Sequence, residues 1–118
     1  MRIRLLMIGL LVAMSSAMSR AAARRAAQAP DGKALYEENC KKCHGVIGNP
    51  PKTMKAKYAK IATFNEEFAT KHSVDSIVTV LTKGKNEDMK SFKDKLNHDE
   101  MVAVAKYVET LATAKPGG

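Results

Sequence analysis

The chain has 118 residues, with 20 Lys and Arg against 12 Asp and Glu, two Cys, no Trp and a formal net charge of +8. That length admits one small domain. All five arginines fall within residues 1–29, so from Pro30 onward fifteen lysines face twelve carboxylates at a net +3, and with no interleaving of aromatic and basic residues a nucleic-acid partner is excluded.

The chain opens as a secretory signal peptide does, with a basic start at Met1 to Arg4, an apolar stretch from Leu5 to Met14 and small residues from Ser15 through Ala29. Extended to Met18, that stretch is about fourteen residues, short of the roughly 20 that span a bilayer. Residues 1–29 are therefore read as signal peptide and short linker, and residues 30–118 as the domain. Cleavage is compatible with Ala17, Ala23 or Ala29. Because positive charge tends to stay on the cytoplasmic side, Arg20, Arg24 and Arg25 keep an uncleaved membrane anchor as the alternative.

In the domain, Asp31 is placed to cap a helix running through Lys33, Leu35, Tyr36 and Asn39, with Glu37 and Glu38 in its early turns suiting the helix dipole. That helix leads into Cys40-Lys41-Lys42-Cys43-His44. Two thiols three residues apart with an imidazole directly following is the attachment pattern for c-type haem. Each sulfur can add across one porphyrin vinyl group, and one helical turn brings both under the same edge, with His44 as the proximal iron ligand. A thioredoxin-like site calls for a βαβ surrounding and a zinc site for a second ligand pair, and neither pattern is present. The cofactor implied is one covalent haem c. It also answers a shortage, since about 89 residues with few aromatics supply little core of their own.

Gly45 to Pro51, with two Gly and two Pro in seven residues, reads as a loop. Met54, Tyr58, Ile61 and Ala62 recur at helical spacing and predict a short amphipathic helix with Lys52, Lys55, Lys57 and Lys60 outside. Asn65 to Lys71 is ambiguous and compatible with a helical turn. Ser73 caps a predicted helix over Val74 to Lys83, with Ile77, Val80 and Leu81 as its stripe and Gly84 as its stop. Asn97 and Glu100 form a capping arrangement for a last helix carrying Met101, Val104, Ala105, Val108, Leu111 and Ala112 on one face, which ends before Pro116. No alternating run between hairpin turns occurs. The fold class is all-α, with four to five short helices around the haem.

The second axial ligand decides between electron transfer and small-molecule binding, and the candidates are Met89, Met54, Met101, His72 and His98. Met54 and Met101 sit on apolar stripes, where a core methionine is the simpler reading. His72 and His98 lie at helix starts among polar residues and are expected to be exposed. Met89 alone is an apolar side chain in a polar loop, Gly84 to Phe92, with no periodic reason to be there. It is the expected distal ligand.

From about Asp31 to Leu111 the chain resembles the small class I monohaem cytochromes c. Gly32, Tyr36 and Cys40 stand at four-residue intervals as in that family's first helix, Tyr107 matches the aromatic of the crossing last helix, and Gly84 to Phe92 followed by Leu96 resembles its methionine loop. The resemblance implies that Gly32 lets the two helix backbones approach closely beside Tyr36 and Tyr107, and that Pro50 or Pro51 supplies the carbonyl that orients His44. One departure is Lys90, where the family places a proline after the methionine, which predicts a less rigid loop.

The function implied is a periplasmic, non-enzymatic electron carrier with His44/Met89 ligation. It is expected to be a monomer that meets membrane only through an uncleaved leader. Lys41 and Lys42, with Lys83, Lys85, Lys90, Lys93 and Lys95 around the methionine loop, are candidates to steer docking onto an acidic surface of an oxidase or reductase. The alternatives are a peroxide-reactive or gas-binding haem protein with a labile or absent sixth ligand, and a haem subunit of a larger membrane oxidoreductase.

Overall fold

Four of the six helices in the computed structural model, which describes residues 28–114, begin on a side-chain cap. The helices are α1 (Gly32–Asn39), α2 (Lys41–His44), α3 (Lys52–Lys57), α4 (Glu66–Lys71), α5 (Val74–Lys83) and α6 (His98–Thr113). Asp31 Oδ1 accepts from Ala34 N, Asn65 Oδ1 from Phe68 N and Ser73 Oγ from Ser76 N. At α6 the capping is reciprocal, with Asn97 Oδ1 accepting from Glu100 N at 2.9 Å and Glu100 Oε2 from Asn97 N at 2.8 Å. No strand occurs among the described residues, and no helix there is long and apolar enough to cross a membrane. The signal-peptide reading falls almost wholly on residues outside those described.

Two details differ from the sequence-based expectations. The backbone leaves helical geometry at Cys40, which divides the first helix in two and puts Glu37 and Glu38 in the last turn of α1, where they gain nothing from the dipole. The amphipathic segment ends at Lys57. Tyr58 caps it, and Ile61 and Ala62 belong to the irregular segment that follows rather than to a helix. The ambiguous segment is helical because Asn65 caps it and Glu66 and Glu67 occupy its first turn. With the first helix divided at Cys40, six short helices are present among the described residues.

The core sits where α1 and α5 pack on α6. Tyr36, Ile77, Leu81, Leu96, Val104 and Val108 are at its centre, each aliphatic side chain contributing roughly 1.5–3 kcal/mol by its burial. The α1–α6 crossing is unusually close. A Cβ on Gly32 would collide with the carbonyl of Ala103 and lie 3.3 Å from the Cβ of Tyr107, so this position accepts only glycine at the observed separation.

Gly32→Ala should therefore cost about 1–3 kcal/mol as an overpacking change, whereas Asn97→Ala should cost about 1 kcal/mol as a lost cap. Guanidinium unfolding of the haem-loaded protein checks both. A neutral Gly32→Ala would mean that the helices do not approach this closely.

Candidate haem site

The Cys-x-x-Cys-His motif forms a single helical turn that follows α1 after the break at Cys40. Cys40 N donates to Tyr36 O at 2.8 Å, and the Cys40 carbonyl then accepts from Cys43 N at 3.2 Å and His44 N at 3.0 Å. Both thiols are half-buried and unpaired with each other. Burial, with the neighbouring Cys43 adding to it, pushes the Cys40 thiol up to about 11. A redox dithiol needs the opposite, a thiol pushed down toward neutrality, so the motif is poorly suited to thiol–disulfide exchange. Among the described residues no three His, Cys, Asp or Glu side chains gather around a bare metal ion.

His44 is oriented by its neighbours. Its Nδ1 lies 3.3 Å from the Ala62 carbonyl, and its ring stacks on Phe64 with centroids 4.8 Å apart and planes 17° from parallel. A carbonyl can only accept, so Nδ1 carries the proton and Nε2 keeps its lone pair. Burial holds the imidazole below its usual value, opposed by the Ala62 hydrogen bond, and so favours the neutral, ligating form. The expected partner was the carbonyl of Pro50 or Pro51. The Pro51 carbonyl is instead engaged by Met54 N and Lys55 N at the start of α3. Ala62 takes the role because the chain after α3 returns past the motif, fastened by Phe64 N donating to Gly48 O at 2.8 Å.

Tyr36 supports the same turn from below. It is fully buried, meets Tyr107 edge-on at 5.3 Å, and donates its hydroxyl proton to the Gly45 carbonyl at 2.7 Å. Burial, and then the nearby Cys40 and Tyr107, raise its phenol well above the ordinary value of 10.

A cleft opens beside this turn. Cys40, His44 and Met89 line it, and most of the remaining wall is apolar, including Phe64, Ile77, Leu81 and Val104. Met89 is thus brought to the same cleft as His44. Its loop lacks the proline, yet it is pinned by other means. Asn86 Oδ1 accepts from Met89 N at 2.9 Å and Asp88 N at 3.0 Å, while the Met89 carbonyl accepts from Lys85 N at 2.9 Å.

The other ligand candidates divide. Met101 is buried in the α5–α6 core, with its sulfur accepting from Thr82 Oγ1 at 3.4 Å. Neither it nor Met54 lines the cleft, and His98 is exposed. His72 departs from expectation. It is half-buried, lines the cleft and packs on Phe68 at 4.4 Å. Its position follows from Phe68 one turn earlier on α4, a contact the polar sequence around it gives little reason to expect. Two thiols on one turn, an imidazole with a free Nε2, a thioether and an apolar cleft make a donor set that fits a covalently held haem.

A family profile described as cytochrome c oxidase, cbb3-type, subunit III matches residues 27–108. A solved structure titled KustC0563 c-type cytochrome superposes with a TM-score of 0.61 at 34% identity, over 70% of this chain and 98% of that one. A tyrosine-to-phenylalanine mutant of Kustc0563 gives a TM-score of 0.61 at 33% identity, over 69% and 98%. No curated protein matches the chain.

Tyr36→Phe should cost about 1 kcal/mol through loss of the bond to Gly45. It should also change the pH profile. A phenol raised in the folded state favours folding fully below pH 10, and that contribution is lost as pH rises above 10 because the unfolded chain releases the proton first. Denaturant midpoints taken from pH 8 to 11 should show a steeper alkaline decline in wild type than in Tyr36→Phe.

Proposed function

The chain belongs to the c-type cytochromes, in the family of the cbb3-type cytochrome c oxidase subunit III domain, and from that membership we propose an exported, periplasmic electron carrier with His44 and Met89 as axial ligands. When bound, the haem supplies a one-electron iron couple. Cys40 and Cys43 hold it through thioethers. His44 offers Nε2, with its ring fixed through Nδ1 by Ala62, and Met89 offers its thioether from a loop that Asn86 braces. Ile77, Leu81, Val104 and Val108 keep water from the cleft. That apolar lining disfavours extra positive charge and so favours the reduced state, in the same direction as a sulfur ligand. The protein breaks no substrate bond. It acts as a monomer and passes its electron to or from an oxidase or reductase with an acidic docking surface.

The observation that carries the reading is that, of the candidate sulfur ligands, only Met89 shares a cleft with His44, a cleft that His72 also lines and Met54 and Met101 do not. The ferric protein should show the weak long-wavelength absorption band of methionine-sulfur ligation, and Met89→Ala should abolish it. Survival of the band in that variant assigns the ligand elsewhere. A wild-type protein that lacks the band and binds carbon monoxide readily is the ligand-binding haem protein instead.

The family description favours a second reading, a haem subunit held in a larger membrane oxidoreductase. Mass measurement separates the two. The carrier is expected in the exported soluble fraction without residues of the leader, and an intact leader on membrane-bound, co-purifying material would establish the subunit.

A further inference from the structure

Charge is segregated along this domain in a way that its modest net value conceals. Residues 39–65 contain six lysines, Lys41, Lys42, Lys52, Lys55, Lys57 and Lys60, and no Asp or Glu. The rest of the chain from Pro30 onward has nine lysines against all twelve carboxylates, a net −3. All six lysines of the basic stretch are exposed. The lysines near the methionine loop are exposed too, but they alternate with exposed Glu87, Asp88 and Asp94 within a dozen residues. At the distances over which a partner is steered, opposite charges so interleaved largely cancel.

A second, independent feature lies in the same stretch. Val46 and Ile47, 63% and 69% exposed, are the exposed large hydrophobic residues of the described structure, and they are adjacent. Their loop cannot simply fold them inward. Gly45 and Gly48 adopt φ of 81° and 78°, a Cβ on Gly45 would strike the Asn49 carbonyl, and Gly48 O is bonded to Phe64 N. Lys55 Nζ donates to Asn49 Oδ1 at 2.8 Å, which fixes one ammonium beside the loop. The apolar pair therefore stands out from a held backbone, immediately after His44, in a stretch that carries six lysines and no carboxylate of its own, Asp88 of the methionine loop being near enough to act on Lys57.

Resting on the electron-carrier reading, we propose that residues 41–60 are the docking face, with Val46 and Ile47 as its apolar contact, for a redox partner protein presenting an apolar spot ringed by carboxylates. The lysines steer the encounter at long range. The aliphatic pair, desolvated on contact, provides the short-range attraction that charge alone does not. A protein surface suits this face better than a lipid bilayer. Interfacial helices bind by burying an extended apolar face, whereas α3 is six residues long and its exposed positions are mostly lysine.

The test uses the haem-loaded protein on gold coated with a mixed monolayer of carboxylate- and methyl-terminated thiols. A quartz microbalance reads binding, and voltammetry reads electron exchange. Replacing Lys52, Lys55, Lys57 and Lys60 with Gln should weaken binding about tenfold at low salt, whereas replacing Lys83, Lys90, Lys93 and Lys95 with Gln should have a clearly smaller effect. Val46→Ser with Ile47→Ser should leave binding to an all-carboxylate monolayer unchanged and remove the advantage of the mixed one. Equal losses in the two lysine sets, or no effect of the aliphatic pair, overturn the proposal. So does tighter binding of wild type to phosphatidylglycerol vesicles than to the monolayer at physiological ionic strength, which would identify a membrane as the occupant. The underlying reading fails separately, as bound protein that follows this variant pattern but gives no reversible one-electron wave.

Discussion

Where α1 crosses α6, Gly32 lies against the Ala103 backbone with no room for a Cβ, and the candidate site takes its geometry from that crossing. One turn beyond Gly32, Tyr36 is held edge-on to Tyr107 of α6, and its hydroxyl fixes the carbonyl of Gly45, the residue after His44. The helix crossing is thereby transmitted to the imidazole through one buried side chain. The arrangement tolerates little slack, because Tyr36 is fully buried and its hydroxyl must find an acceptor there. Four-residue spacing of Gly32, Tyr36 and Cys40 places all three on one face of this segment.

What the sequence made readable was whatever depends on neighbours within one helical turn. Asp31, Ser73 and Asn97 cap where expected because a cap bonds its own second or third residue, and the haem motif is a single turn. Contacts across the fold were less legible. Met54, Tyr58, Ile61 and Ala62 keep helical spacing, yet only the first part is helical. The latter part must instead return past His44, where Ala62 rather than a proline carbonyl meets Nδ1. His72 reads as a surface residue because its neighbours in the chain are polar, and only the packing of α4 brings it to the cleft with Phe68. The missing proline after Met89 suggested a loose loop. Asn86 compensates through its side-chain amide, since a short polar side chain can close a turn that proline would otherwise stiffen.

The two sides of the cleft are consequently built to different tolerances. His44 rides on a helical turn and is constrained by Ala62, Phe64 and, through Gly45, by Tyr36. Met89 is held by backbone hydrogen bonds in an exposed loop, where water competes for the same donors and acceptors. Loops of this kind open at lower free energy than packed helices. If either ligand yields under denaturant or alkali, the physical expectation is that it is the thioether. To leave, the imidazole would have to give up both its contact with the Ala62 carbonyl and its stacking on Phe64.

The surface follows a different logic from the interior. Among the described residues the ion pair present is Lys71 with Glu67, both well exposed, and pairs of that kind contribute little to stability. The six lysines of residues 39–65 have no carboxylate within their own stretch, although Lys57 is near enough to Asp88 to feel its charge. Stability alone would favour interleaving these charges, as the chain does around Met89. Leaving them segregated beside two exposed aliphatic residues is the arrangement that the proposed docking onto a carboxylate-bearing partner calls for. The same stretch contains both thiols and His44, so these lysines flank the proposed haem attachment.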